Sequence, residues 1–110
     1  MKFSSNKRIR KAQEFLNVKK NGTRIVCGCF IAQALANNLD VSRLGVVASR
    51  KTGNAVVRNR AKRVFRELFR LTYENLPKEV DLVIVVWPNF VKYSFSDLRE
   101  RLLKAYHQFK

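Results

Sequence analysis

The chain has 110 residues, 46% of them hydrophobic, with 23 Lys and Arg against 8 Asp and Glu, a formal net charge of +15. That length suits one domain with its own core, and the apolar content excludes a wholly disordered basic tail. So large an excess of one sign repels itself in a compact fold, so an anionic partner is expected: nucleic acid first, an acidic membrane surface second, an acidic protein last. The longest strongly apolar run, Leu82 to Trp87, is too short to span a bilayer. No apolar segment follows the basic N-terminus, so no secretory signal is expected.

Residues 1–10 are polar and basic, and read as a flexible arm ahead of a single domain over residues 11–110. Ala12 to Lys20 predicts a short amphipathic helix with Ala12, Phe15 and Leu16 on its apolar side, stopped by Asn21-Gly22. Arg24 to Leu35 reads as a strand from its β-branched and aromatic content. Asn37 to Asp40 is a turn signal and Arg43 to Ser49 a second strand, so the two strands are expected to pair as a hairpin. Cys27 and Cys29 fall on one face of the first strand. They read as two small buried thiols, since near neighbours pair poorly and His107 is the only histidine available to a zinc site. A reducing cytoplasm is the expected location.

A loop over residues 50–54 leads into a helix predicted from Ala55 to Tyr73, closed by Asn75-Leu76-Pro77. Val80 to Trp87 is nearly all apolar, as in a strand buried on both faces. Ser94 or Ser96 can cap a last helix, in which Phe95, Leu98, Leu102, Ala105, Tyr106 and Phe109 recur at helical steps.

The charge is concentrated in two places: residues 1–20 net +6 and residues 50–70 net +7. At about 100° per residue, Val57, Ala61, Val64, Phe65, Leu68 and Leu71 form one arc of the long helix, which must face the core. Arg58, Asn59, Lys62, Arg63, Arg66 and Arg70 occupy the opposite arc, with Arg60 at its edge and Arg50 and Lys51 just before the helix. Like charges four residues apart cost a few tenths of a kcal/mol each, and solubility alone does not require so many. Guanidinium forks match phosphate oxygens, and Asn54 and Asn59 offer groups to a 2′-hydroxyl or base edge. The stretch lacks the G-K-[ST] of a phosphate-binding loop. Periodicity alone therefore gives a nucleic-acid-binding helix without separating RNA from DNA.

Arg43-Leu44-Gly45, Ser49-Arg50-Lys51 and the run from Gly53-Asn54-Ala55-Val56-Val57-Arg58-Asn59-Arg60 through Ala61-Lys62-Arg63-Val64-Phe65-Arg66-Glu67 resemble the signature of the bacterial ribonuclease P protein component. Phe15, Gly22, the strand from Asp81 to Val86 and the segment from Tyr93 to Leu98 extend the resemblance over nearly the whole chain. It implies an α+β fold, α-β-β-β-α-β-α, with one mostly antiparallel four-stranded sheet, packed helices and a left-handed β-α-β crossover. It also splits the Arg24–Leu35 stretch into two strands. By this resemblance the basic residues Arg50, Lys51, Asn54, Arg58, Asn59, Arg60, Lys62, Arg63, Arg66 and Arg70 meet a catalytic RNA subunit. A cleft with Lys11, Phe15, Lys19, Phe30 and Gln33 takes the single-stranded 5′ leader of precursor tRNA. Lys19 and Gln33 are polar where relatives often carry aromatics, so this cleft would lean on charge and hydrogen bonds.

The implied holoenzyme is an endoribonuclease that hydrolyses the leader from precursor tRNA, with Mg²⁺ held mainly by the RNA subunit. No catalytic residue and no metal site are expected on the protein, because its eight carboxylates are scattered along the sequence. A ribosomal-protein-like RNA-binding module is the alternative reading. A DNA-binding regulator fits less well, since a uniformly cationic face reads bases poorly.

Overall fold

The computed structural model describes residues 7–109. The elements run α1 (Ala12–Asn21), β1 (Thr23–Val26), β2 (Phe30–Ala36), β3 (Arg43–Val47), α2 (Ala55–Thr72), β4 (Val80–Val86) and α3 (Phe95–Gln108), with short 3₁₀ turns at Tyr73–Asn75 and Pro88–Lys92. The sheet order is β1-β2-β4-β3. β1 and β4 each pair antiparallel with β2, and β3 lies parallel to β4, joined to it through α2. This is the α+β topology that the resemblance implies.

The Arg24–Leu35 stretch is two strands, not one. Gly28 adopts φ +87°, a left-handed conformation open to glycine, and the Cys27 N–H donates to the Phe30 carbonyl at 2.8 Å to close a tight hairpin. The expected pairing of the strands flanking Asn37–Asp40 does not occur, because β4 lies between β2 and β3. β4 is apolar on both faces and so takes an interior place with a partner on each side. The turn itself forms. Asn37 accepts from the Leu39 N–H, and its amide nitrogen lies 3.0 Å from both the Val41 carbonyl and Asp81 on β4, carrying the chain past that strand.

Strand alternation then divides the side chains. Phe30, Ala32, Ala34, Leu82 and Ile84 face α2 and α3 and meet Ala61, Phe65, Leu68, Phe69, Leu98, Leu102 and Tyr106 in the main core. Phe30 and Phe65 stack edge-on with centroids 5.0 Å apart. The α2 core arc includes Phe69 and Thr72, while Leu71, expected inside, is 40% exposed. Thr72 and the buried Tyr106 share a hydrogen bond at 2.9 Å, which ties α2 to α3. Ser94, rather than Ser96, caps α3 by accepting from the Asp97 N–H.

The opposite sheet face is covered by α1. Val18, Ile9 and Val83 form a second small core with Phe15, Leu35 and Val85 beside it. Within the arm expected at residues 1–10, residues 1–6 lie outside the described residues. Residues 8 and 9 are docked: Arg8 bridges Leu44 in parallel, the Ile9 N–H donates to the Leu44 carbonyl at 3.0 Å, and the Ile9 side chain is buried. One isoleucine among the basic residues is enough to anchor the end of the arm over the β3 edge.

At Gly45 on β3 an added Cβ would overlap the Phe15 ring of α1. Gly45→Ala is therefore expected to cost about 1–3 kcal/mol by overpacking. In a Phe15→Ala background the same change should cost much less, a coupling that urea unfolding of the double-mutant cycle will measure.

Candidate nucleic-acid interface

The approach to α2 is a turn held from below. Thr52 is buried and donates from its hydroxyl to the Val86 carbonyl at 2.8 Å, while the same oxygen accepts from the Ser49 N–H. Arg50 and Lys51 ride on this turn, both exposed. Asn54 is the N-cap of α2, accepting from the Val57 N–H at 3.0 Å, so its first task is to start the helix.

The expected cationic arc is present. Asn59, Arg60 and Arg63 are exposed, and Arg58, Lys62 and Arg66 are half-buried. Val56, Asn59, Lys62, Arg63 and Arg66 line an open surface groove. Arg70 departs from the pattern because Glu67 holds its guanidinium through two hydrogen bonds of 2.7 Å. That fork holds the Glu67 carboxyl below its ordinary value. Val56, 74% exposed among these cations, does not stand out in the sequence, because one apolar residue on a charged arc carries no periodic signal.

The structure distributes the expected cleft residues over two faces of the sheet. Phe15 is half-buried on the α1 side of the sheet. Phe30 is fully buried in the main core on the other face, so it cannot line the same surface. Gln33 is buried on the α1 face, whereas Lys11 and Lys19 are exposed on α1. The groove that does form beside Phe15 is walled by Arg10, Ala12, Leu16, Val46, Val47, Ala48 and, from α2, Lys62. Lys19 and Gln33 lie outside it. Leu16, expected in the helix's packed side, is 62% exposed there, and Val47 is 37% exposed. Lys62 belongs to this groove and to the α2 groove, so the two surfaces are continuous.

An ion cluster fixes α1 over the sheet. Arg43 on β3 reaches Asp81 through two bonds of 2.8 and 2.7 Å and reaches Glu14 of α1 at 3.0 Å. Hydrogen bonds from Arg43 to Asp81 outweigh desolvation and push the guanidinium further up, with Glu14 adding to the effect. Burial by itself would raise the Glu14 carboxyl. The Lys11 N–H and Arg43 together outweigh it and hold the group below its ordinary value of 4.5. At Arg66 burial, then the nearby Arg8, pull the guanidinium below its ordinary value, although it stays charged. Burial pushes the Cys29 thiol up to about 11 and raises that of Cys27 too, so both free thiols are neutral near pH 7.

Comparison with known proteins decides among the readings. The family model for ribonuclease P matches residues 3–110. The chain belongs to the bacterial ribonuclease P protein family. A ribonuclease P protein component from Alkaliphilus metalliredigens is 31% identical, covering 98% of this chain and 97% of its own. The Thermotoga maritima ribonuclease P protein component is 36% identical over 92% and 90% of the two chains. A solved structure of the Thermotoga maritima RNase P protein superposes with a TM-score of 0.83 at 34% identity, covering 94% of this chain and 97% of that one. One of a Staphylococcus aureus RNase P protein mutant with defective mRNA degradation activity gives 0.83 at 25% identity, covering 96% and 91%. The ribonuclease P reading thus replaces the ribosomal-protein alternative: the chain is the protein component of a ribonucleoprotein endoribonuclease whose partner is an RNA subunit. Among the described residues, no helix is long and apolar enough to cross a membrane.

Because the folded Glu14 carboxyl titrates below 4.5, its contribution to stability is complete above that value and is lost as pH falls through the depressed value. Glu14→Gln should therefore be less stable than wild type at pH 7. The two urea midpoints should converge as the pH falls through the depressed value and the wild-type carboxyl takes up its proton.

Proposed function

We propose that this ribonuclease P protein lays the cationic face of α2 on the RNA subunit and receives the 5′ leader of precursor tRNA in the groove beside Phe15. One observation carries the reading: Lys62 is shared by both grooves, so a strand leaving the Phe15 groove runs directly onto the basic face. Phe15, Leu16 and Val47 give an apolar floor on which an unstacked base can rest, and Arg10 and Lys62 supply charge at its sides. Mature tRNA lacks the leader, so the groove favours the precursor.

Hydrolysis of the phosphodiester is assigned to the RNA subunit with its Mg²⁺. The protein's carboxylates support this, since several are already committed: Glu14 and Asp81 to Arg43, Glu67 to Arg70 and Glu100 to Lys104. What this chain contributes is placement, holding the leader beside the RNA that cuts it.

Reconstitution with a candidate RNA subunit tests each half. Arg60→Ala and Arg63→Ala, both on the exposed arc, should weaken subunit binding and flatten its salt dependence by roughly 0.7–0.9 in slope for each phosphate no longer neutralised. Phe15→Leu keeps an apolar side chain against Gly45 but removes the ring. It should cut the preference for precursor over mature tRNA by about 1–3 kcal/mol per base unstacked. The wild-type preference should also shrink as the leader is shortened. A preference indifferent to leader length and to Phe15→Leu would remove the leader from this groove.

A further inference from the structure

The turn between β3 and α2 is tied to the end of the sheet by a side-chain hydroxyl. Within the turn, the Thr52 N–H donates to the Ser49 carbonyl at 2.9 Å and the Ser49 N–H donates to the Thr52 hydroxyl at 3.1 Å. The Lys51 N–H donates to the Ser49 hydroxyl at 3.2 Å. A further bond leaves the turn, from the Thr52 hydroxyl to the Val86 carbonyl of β4 at 2.8 Å. The pairing of β4 turns that carbonyl toward β3: Trp87 donates its N–H to the Cys29 carbonyl, so one residue earlier the backbone points away from β2. The β3–β4 ladder ends at Val47 and Val85, and Thr52 supplies the donor that a longer β3 would have supplied. Thr52 is only 3% exposed, whereas Arg50 and Lys51, the central residues of the turn, face solvent. Among the described residues, neither of these cations takes part in an ion pair.

We propose that Thr52 is a positioning residue for RNA: its hydroxyl fixes where Arg50 and Lys51 stand relative to the cationic face of α2, an inference that rests on the reading of that face given above. Adjacent like charges on a free loop repel and spread. Docking them on a polyanion then carries the cost of ordering two long side chains and the backbone beneath them. Here the backbone is ordered in advance. Its far end is held as well: an added Cβ at Gly53 would come within 2.7 Å of the Val57 side chain, so the chain passes close over the first turn of α2, which Asn54 caps. The hydroxyl joins this turn and the start of α2 to β4 and, through β4, to the main core. Valine has the shape of threonine with neither its donor nor its acceptor, while serine keeps both.

The test measures the affinity of the full chain for a candidate RNA subunit, under conditions where circular dichroism shows each variant folded. Thr52→Val should weaken binding about tenfold, and Thr52→Ser should hold it within about twofold of wild type. The effect of Thr52→Val should vanish in an Arg50→Gln, Lys51→Gln background, where no cation is left to place. If Thr52→Val lowers the urea midpoint but leaves the affinity unchanged, the hydroxyl serves stability alone and the proposal is overturned. A loss of equal size in the Arg50→Gln, Lys51→Gln background also overturns it, since the hydroxyl then acts elsewhere. Should Thr52→Val not fold, Ser49→Ala carries the test, because it removes only the exposed bond from the Lys51 N–H. A loss of about threefold is then expected, again confined to the chain that keeps both cations, and an unchanged affinity is the contrary result. Failure of the α2 reading is seen separately, as binding indifferent to Arg60→Ala and Arg63→Ala.

Discussion

The ion cluster around Arg43 is the constraint on which the α1 side of the sheet depends. Arg43 on β3 holds Asp81 on the neighbouring strand and Glu14 on α1 at once, and Asn37 takes a further position on Asp81. Strand to strand, it locks the parallel pair; strand to helix, it fixes where α1 crosses the sheet. Glycine at 45 then lets the Phe15 ring descend onto β3, and Val18 seals against Val83. With α1 so placed, Leu16 and Val47 both line the groove and stay exposed rather than buried. The groove is the gap that this placement leaves.

Charge is handled asymmetrically around that frame. Glu14 and Asp81 join separate elements through Arg43, and on the basic arc of α2 the ion pair among the described residues falls at Arg70. Lys62, Arg63 and Arg66 of α2 and Arg10 from the N-terminal segment gather on one continuous surface. Such a surface costs stability in the free chain and returns it when a polyanion binds, since a ligand that binds only the folded state stabilises it.

Much of this was legible in the sequence. α2 and β4 show themselves through a helical period and an unbroken apolar run, and the signature from Gly53 to Glu67 names the family. Pairing was less legible. Neighbouring strands pair by default, and only the two-sided apolar character of β4 hints that it inserts between β2 and β3. α1 offers few apolar residues, and weighting Ala12 and Leu16 turns its expected face well away from Val18, the residue that packs. The placement of Phe30 could have been tested on parity. Phe30 and Gln33 are three apart on one strand and so lie on opposite faces; both could not line one cleft. The groove beside Phe15 draws on α1, β3 and α2 together, and no local pattern announces a surface assembled from three elements.

Site-specific photo-crosslinking in the reconstituted holoenzyme distinguishes what each of the two surfaces binds. One photoreactive side chain would replace Val47 in the groove, and another would replace Val56 on the cationic face. The probe at 47 should label leader nucleotides of precursor tRNA and fall silent with mature tRNA. The probe at 56 should label the RNA subunit whichever tRNA is bound. Labelling of the RNA subunit from 47, or of the leader from 56, would contradict the assignment of the two surfaces.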